Sequence, residues 1–225
     1  MSIKRVLIPA AGRGARLDRP GMPKPLVFVS GLPMIVRTLL QCEAAGIEEA
    51  VIVVGYEAPT IVKALTHHPR LSTLKVRFAE APRWQDEGLV ASILAARSLL
   101  GDERFVIAMG DHVFDGKLLE RIAGERIGDG EVVAMLDSGL GEVFDPGAAV
   151  KAKTHRGAVL EMGWDVPGFD AVDCGLFACG PAAWAAFDEA YRANPKANIF
   201  DAVNLLAARH LALPVHQHRR ADRTH

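Results

Sequence analysis

Apolar positions along the chain alternate between two rhythms, and their order predicts a sheet flanked by helices. Val6–Ile8 forms a short continuous apolar run that empties into small residues, Ala10-Ala11-Gly12-Arg13-Gly14. Leu26–Val29 reads as a short extended segment broken by Gly31. From Pro33, which suits a helix first turn, Ile35, Leu39 and Cys42 recur at helical spacing until Gly46 stops the pattern. Ala50–Val54 is a second buried strand, 58–66 a helix and 74–78 a third strand. After a polar loop at 82–88 comes a helix from Leu89 to Leu100, then the sharpest apolar strand, Phe105–Met109, ending in Gly110-Asp111-His112. Strand and helix thus alternate over the first half, the pattern of a parallel sheet covered by helices.

The second half has a different rhythm. Short β-like runs at 131–136, 148–153, 158–163 and 172–179 follow one another with little room for helices between most of them. They predict partly antiparallel strands that extend the same sheet. Helices at about 182–192 and 199–209 follow, the second with Asn198 as N-cap, and Ala212–Val215 is a last strand before a polar, histidine-rich tail. No repeat or linker marks a boundary. The expectation is one domain over 1–225, with a first part (1–130), a second part (131–215) and a tail (216–225).

Composition narrows the class. The 225 residues are 50% hydrophobic and 24% charged, with a net charge of −1. Near-neutrality argues against a general nucleic-acid or acidic-membrane binder, so any anion site must be local. No stretch approaches the ~20 apolar residues of a spanning helix. The early apolar run is broken too soon by Gly12 and Arg13 for a signal peptide. Three cysteines, Cys42, Cys174 and Cys179, form no metal or disulfide framework and fit a reducing cytoplasm. Cys174 and Cys179 read as small residues on a buried strand.

The candidate chemistry begins at residues 10–25. Glycine supplies the backbone conformations of a tight loop, and successive N–H groups there can cradle an anion. Arg16 and Lys24 add positive charge at loop spacing. A dinucleotide fingerprint would need a glycine at position 17, which is Leu17, and the Gly-Lys-Ser/Thr ending of a Walker A loop is absent. What remains is Gly-x-Gly-x-Arg, a spacer and Pro-Lys-Pro. A Gly/Pro-rich surface loop with scattered cations is the alternative, but the combination directly after a first strand favours a polyphosphate site. Asp111, just past a buried strand, is placed to hold Mg²⁺, and the ends of the first strand (Gly12) and of this one should face one crevice.

These motifs resemble the sugar-phosphate nucleotidyltransferases. Ala-Met-Gly-Asp-His-Val-Phe (108–114) is similar to the Gly-Asp-His-Val-Tyr stretch of CTP:inositol-1-phosphate cytidylyltransferases. Phe169–Phe177 resembles that family's Val-Asp-Thr-Gly-Phe-Phe, with Cys174 in place of Thr, and Ala148–Lys151 resembles its Ala-Thr-Lys. The resemblance runs from residue 3 to about 215. It implies a Rossmann-like three-layer α/β sandwich, a mixed, mostly parallel sheet with helices on both faces. The implied reaction transfers CMP from CTP to a phosphate monoester, inositol 1-phosphate first, with Mg²⁺ as cofactor. Sugar 1-phosphates, phosphocholine or a phosphonate as acceptor, and a non-catalytic nucleotide-binding regulatory module, stay open as alternatives.

The resemblance also implies roles for individual residues. Ala10, Ala11, Gly12, Gly14, Gly88, Ser92 and Gly110 would bind the nucleotide. Arg16 and Lys24 would neutralise the α-phosphate and the leaving pyrophosphate. Asp111 would bind the metal, and His112, Lys151 and Asp173 would face the acceptor. Gly88 and Ser92 match the family's Gly-Asn-Gly and helix-opening Ser, but the Asn is absent, which leaves the base preference open. The family's second metal Asp lies in a Trp-x-Asp-x-Asp-Thr stretch, to which only Ala221-Asp222-Arg223-Thr224 is comparable, so Asp222 is the candidate second ligand. Members are sometimes fused to a membrane transferase, which for this chain would be a separate downstream partner.

Overall fold

The computed structural model describes residues 2–14, 22–66, 68–71, 73–143, 145 and 147–216. Arg16 and Asp222 lie outside the described residues. The chain opens with β1 (Arg5–Ala10), then β2 (Phe28–Val29), β3 (Leu32–Pro33), α1 (Met34–Ala44), β4 (Glu49–Val54), α2 (Ala58–Leu65) and β5 (Lys75–Glu80). Next come α3 (Leu89–Ala95), α4 (Arg97–Leu100), β6 (Phe105–Ala108), α5 (Gly116–Gly124), β7 (Val132–Asp137), β8 (Lys151–His155) and β9 (Ala158–Gly163). The chain closes with β10 (Ala171–Cys179), α6 (Trp184–Ala193), α7 (Ile199–Ala207) and β11 (Ala212–His216).

Nine strands form one mixed sheet in the order β11-β7-β10-β6-β1-β4-β5, and the β8–β9 hairpin attaches through β8 to β10. β1 pairs in parallel with β4 and β6, and β4 with β5. β10 is antiparallel to β6, β7 and β8. The expected change of character between the halves is therefore a change of strand direction within one sheet.

Successive side chains of a strand point to opposite faces, so each central strand feeds two cores. Leu7, Val51, Val53 and Ile107 face one core, together with Val90 and Ile93 of α3, Trp184 and Phe187 of α6 and Val203 of α7. Val6, Ile8, Ile52 and Val106 face the other, with Ile35 and Leu39 of α1, Ile61 of α2, and Leu119 and Ile122 of α5. This is why β1 and β4 read as unbroken apolar runs: both faces are covered. The parallel connections from β1 diverge to β4 on one side and β6 on the other, and the crevice past their C-terminal ends is where such sheets take ligands.

Three elements depart from the sequence expectation. The single helix expected from Leu89 to Leu100 divides at Ala96 into α3 and α4. Residues 116–124, unassigned in the sequence, form α5, capped by Asp115, whose carboxylate accepts from Lys117 N at 3.0 Å. Glycines at both ends and only nine residues hide its periodicity. The run 148–153 is expected to be strand, but β8 starts at Lys151. The amine of Lys151 donates to the carbonyls of Gly147 (3.4 Å) and Ala149 (3.1 Å) and curls the preceding segment into a loop. The expected Asn198 cap is present as a reciprocal capping box with Asp201.

The core on the α6 face centres on Trp184. Its ring stacks on Phe105 at 4.7 Å, meets Phe187 edge-on at 5.8 Å, and its indole N–H donates to the Gly101 carbonyl at 3.2 Å. Trp184→Ala is expected to lower unfolding stability by about 3–5 kcal/mol in urea titrations, through lost transfer energy and the cavity left behind.

Candidate active site

The candidate site is built on the loops that leave β1 and β6. Beyond Ala10 the chain turns through Gly12 to Gly14, which has a φ of +66°. A Cβ on Gly14 would stand 2.6 Å from the Cβ of Lys24, so the lysine stem lies directly on this glycine. Lys24 itself opens a short 3-10 turn, Lys24–Leu26, in which Pro25 and Leu26 are buried. Prolines on either side fix the local backbone, and Leu26 anchors it in the core. The ammonium is thereby held over the end of β6, where it pairs with Asp111 Oδ2 at 2.6 Å. Gly110 permits the approach of the two strand ends, because a Cβ there would meet the Pro9 carbonyl at 2.5 Å.

Asp111 is held from two sides. His112 Nδ1 lies 2.8 Å from Asp111 Oδ1, and Lys24 takes the other oxygen. Burial alone would push the Asp111 carboxyl up. The hydrogen bonds and positive charge of His112 and Lys24 outweigh it and hold the group well below the usual carboxylate range. An ionised carboxylate only accepts, so Nδ1 of His112 carries the shared proton. Burial disfavours the charged imidazole, but the bond to Asp111 and the charge of Asp173 leave His112 above its ordinary value. The ring also stacks on Phe114 at 5.9 Å.

Asp173 reaches the site through an irregularity in β10. Against β7 the register jumps between Asp173 and Phe177. Gly175 sits in the bulge with a φ of +76°, and a Cβ there would come within 3.1 Å of His112 and Met109. The bulge re-aims the neighbouring side chains, as bulges beside sites do. The Gly175 N–H donates to Asp173 Oδ1 at 2.7 Å, while Met109 N donates to the Gly175 carbonyl at 2.9 Å. Burial pushes the Asp173 carboxyl up to about 6, against the opposing pull of the Gly175 N–H and His112.

Two cavities meet here. The first, about 280 Å³, is lined by Ala10, Ala11, Gly12, Gly14, Gly88, Ser92 and Gly110 together with Lys24 and Asp111. The ends of the first and fourth parallel strands therefore face one crevice, as expected. The second, about 630 Å³, is lined by His112 and Asp173, and also by Ala148–Val150, Trp164 and Asn198. Gly14, Lys24, Leu89, Met109 and Asp111 line both, so the cavities join at the Lys24–Asp111 pair.

Lys151 stands apart from the other expected site residues. Its amine donates to the Gly147, Ala149 and Trp164 carbonyls, the last at 2.9 Å, and it does not line the second cavity. It shapes the 147–150 wall instead of presenting its charge there. Among the lining residues that escape the sequence reading are Trp84 and Glu87 in the first cavity and Trp164 in the second. Trp164 is 47% exposed, large for an apolar side chain, and meets Phe200 edge-on at 6.0 Å. Only the placement of Trp84 and Glu87 in the 82–88 loop, just before Gly88, hinted at them.

Asp111 fits one ligand of a magnesium ion: it is ionised, at the junction, and carries lone pairs beyond the two bonds it accepts. Among the described residues no cluster of three or more His, Cys, Asp or Glu side chains is placed to hold a metal. Mg²⁺ binds one or two carboxylates and completes its shell with phosphate oxygens and water. Among the described residues no helix is long and apolar enough to cross a membrane.

The shift of Asp173 has a stability consequence. Its folded value lies above the ordinary carboxyl value of 3.8, so between these values the folded state binds the proton more tightly than the unfolded chain. The stabilisation is complete below the lower value and lost as pH rises through about 6. Asp173→Asn should remove this slope. Urea unfolding at pH 4.5 and 7.5 is expected to show a smaller pH dependence in the variant, by on the order of 1–2 kcal/mol.

Known proteins share this sequence and architecture. The chain is 38% identical over 183 residues to a bifunctional IPC transferase and DIPP synthase of Rubrobacter xylanophilus, covering 80% of this chain and 39% of that protein. It is 32% identical over 178 residues to the protein of the same name from Archaeoglobus fulgidus, covering 79% and 33%. The chain thus spans well under half the length of these relatives. The inositol-1-phosphate CTP transferase from T. maritima has the same fold, with a TM-score of 0.80 at 15% identity over 96% of this chain and 86% of that one. Residues 6–168, most of the chain, match the MobA-like NTP transferase domain, and the protein belongs to that family.

Proposed function

We propose that this chain is a cytidylyltransferase that moves CMP from CTP to inositol 1-phosphate, giving CDP-inositol and pyrophosphate. The observation that carries the reading is the junction of the two cavities at Lys24 and Asp111. A nucleoside triphosphate in the first cavity and a phosphorylated acceptor in the second would bring their phosphates together at that pair. The names of the bifunctional relatives and of the T. maritima enzyme support the same substrates.

The chemistry asks little of a general base. The second pKa of a phosphate monoester is ~6, so the attacking oxygen is already an anion at neutral pH. The P–O bond between acceptor and α-phosphorus forms as the bond to pyrophosphate breaks, and pyrophosphate leaves with the electron pair. His112 fits this economy, since its Nδ1 is committed to Asp111. The barrier is the approach of two anions, and the chain answers it by position and charge. Gly12 and Gly14 bring backbone close to the triphosphate, and Lys24 neutralises charge on the α-phosphate and leaving group. Asp111 would hold Mg²⁺, which when bound withdraws charge from the phosphate oxygens. The lysine and the carboxylate, now paired with each other, are the groups that the triphosphate and its metal would divide between them. Arg16 and Asp222 complete the set in this reading, as a second cation and a second ligand. Asp173, half-buried in the acceptor cavity, accepts hydrogen bonds from acceptor hydroxyls once ionised.

Pyrophosphate release with Mg²⁺ tests the proposal, with CTP, UTP, GTP and ATP each offered against inositol 1-phosphate, glucose 1-phosphate, mannose 1-phosphate and phosphocholine. The expected signal is with CTP and inositol 1-phosphate. A signal with another acceptor would move the acceptor assignment and leave the phosphate machinery in place. Bound nucleotide with silence against every acceptor would favour a regulatory module.

Two variants sharpen it. Lys24→Ala is expected to lower kcat by about 10²–10³-fold, the range of a lost charge-stabilising donor, while KM for CTP moves far less. Near-normal turnover would contradict the role given to Lys24. The acceptor kcat/KM should rise with pH through about 6 as both Asp173 and the acceptor phosphate ionise, and Asp173→Asn should make that limb shallower while weakening acceptor binding. An unchanged limb in the variant would assign it to another group.

A further inference from the structure

The first cavity contains one charged side chain that phosphoryl transfer does not use. Glu87 lies in the loop between β5 and α3, one residue before Gly88, and lines the first cavity but not the second. Its side chain is 14% exposed. We propose that Glu87 reads the base of the nucleotide: its carboxylate selects cytosine, which turns an exocyclic amine toward it, and rejects uracil, which turns a carbonyl. The inference rests on the nucleotidyltransferase reading above and deepens it.

The carboxylate is locked by one oxygen and open at the other. Arg83 Nη2 lies 2.6 Å from Oε1, and the Tyr191 hydroxyl donates to the same oxygen at 2.7 Å. Arg83 also donates to the Tyr191 hydroxyl at 2.9 Å, closing a three-membered network that ties the loop to α6. Among the described residues Oε2 has no hydrogen-bond partner. A plain surface ion pair would not need a tyrosine from another helix to orient it, and would not face a cavity.

The surroundings suit a flat ring. Trp84 lines the same cavity, and its ring is pressed against the backbone at Gly55, where a Cβ would stand 2.7 Å from two ring atoms. Tyr56 braces it edge-on at 5.5 Å. A rigid aromatic wall beside a single free acceptor is a site for a base with an amine on its edge. An ionised carboxylate is acceptor-only. Cytosine N4 donates to it, whereas uracil O4 would bring two acceptors together.

The lock makes the test directional. In Glu87→Gln the side-chain carbonyl must stay with Arg83 and Tyr191, because both are donors. The amide NH₂ is then turned toward the cavity, where it suits uracil. Affinities for CTP and UTP are measured by titration calorimetry on the full chain with Mg²⁺ and no acceptor, so the result does not depend on turnover. The wild-type chain is expected to prefer CTP by on the order of 10- to 100-fold. Glu87→Gln should collapse or reverse that ratio, and Glu87→Ala should bring it near one. Thermal melts identify a variant that fails to fold, and the other then decides. Equal wild-type affinities, a wild-type preference for UTP, or a CTP/UTP ratio unchanged in a folded variant would overturn the assignment of Glu87. Failure of the wild-type chain to bind either nucleotide would overturn both this and the transferase reading. CTP selectivity that shifts with Glu87 but is never accompanied by pyrophosphate release would sustain Glu87 and sink the transferase reading alone.

Discussion

The ion pair between Lys24 and Asp111 is the contact on which the arrangement of this site depends. Its two partners lie far apart in the chain and are delivered by different devices. Lys24 is carried by a proline-flanked turn anchored by Leu26 and laid over Gly14. Asp111 is delivered by β6, whose four residues are fully buried and leave its end little freedom. An exposed pair of this kind contributes little to stability. Its importance is positional: it puts one cation and one anion at the mouth shared by two cavities. The near-neutral net charge of the chain means that long-range steering cannot substitute for this local charge.

The second dependence is geometric and lies in β10. Asp173 pairs with Leu136 of β7 and is the last residue before the register of that ladder breaks. The irregularity between Asp173 and Phe177, together with the left-handed Gly175, lets the Gly175 N–H clasp the carboxylate beside His112. This irregularity occurs where the sheet switches from parallel to antiparallel pairing, since β10 is the strand bonded to β6. The parallel half therefore supplies Lys24, Asp111 and His112 from loops at its strand ends, and the antiparallel β10 brings Asp173 beside them.

Much of this was legible in the sequence, for identifiable reasons. Continuous apolar runs at Val6–Ile8, Ala50–Val54 and Phe105–Ala108 mark strands covered on both faces, and their ends mark the crevice. Gly12, Gly14, Gly88, Ser92, Gly110, Asp111, His112 and Asp173 all line one cavity or the other, because loop chemistry at strand ends is local in sequence. Lys151 was not legible. A lysine next to a β-run reads as a free cation, and only the fold shows the Gly147, Ala149 and Trp164 carbonyls that take its protons. Trp84, Glu87 and Trp164 were hidden for the converse reason. Their significance comes from partners distant in sequence, Gly55, Tyr191 and Phe200, which no local pattern announces. Helix α5 was missed because two glycines bound a nine-residue amphipathic stretch.

The two carboxylates of the site show how one histidine can serve opposite ends. Both Asp111 and Asp173 are desolvated, which alone would raise both. Asp111 has two cationic partners in direct contact, His112 and Lys24, and stays ionised throughout the working pH range. Asp173 has one backbone N–H and only the field of the same histidine, so burial wins and its carboxyl is pushed up to about 6. Environments that push two acids apart divide labour between them. The permanently charged one suits a metal ion, whose charge does not vary with pH. The titrating one suits neutral hydroxyls, which it can meet as donor or acceptor. The ordering is set by contact distance: remove the Lys24 contact and Asp111 loses one of the two interactions that overcome its burial, so the distinction between the two acids rests on the same ion pair that joins the two cavities.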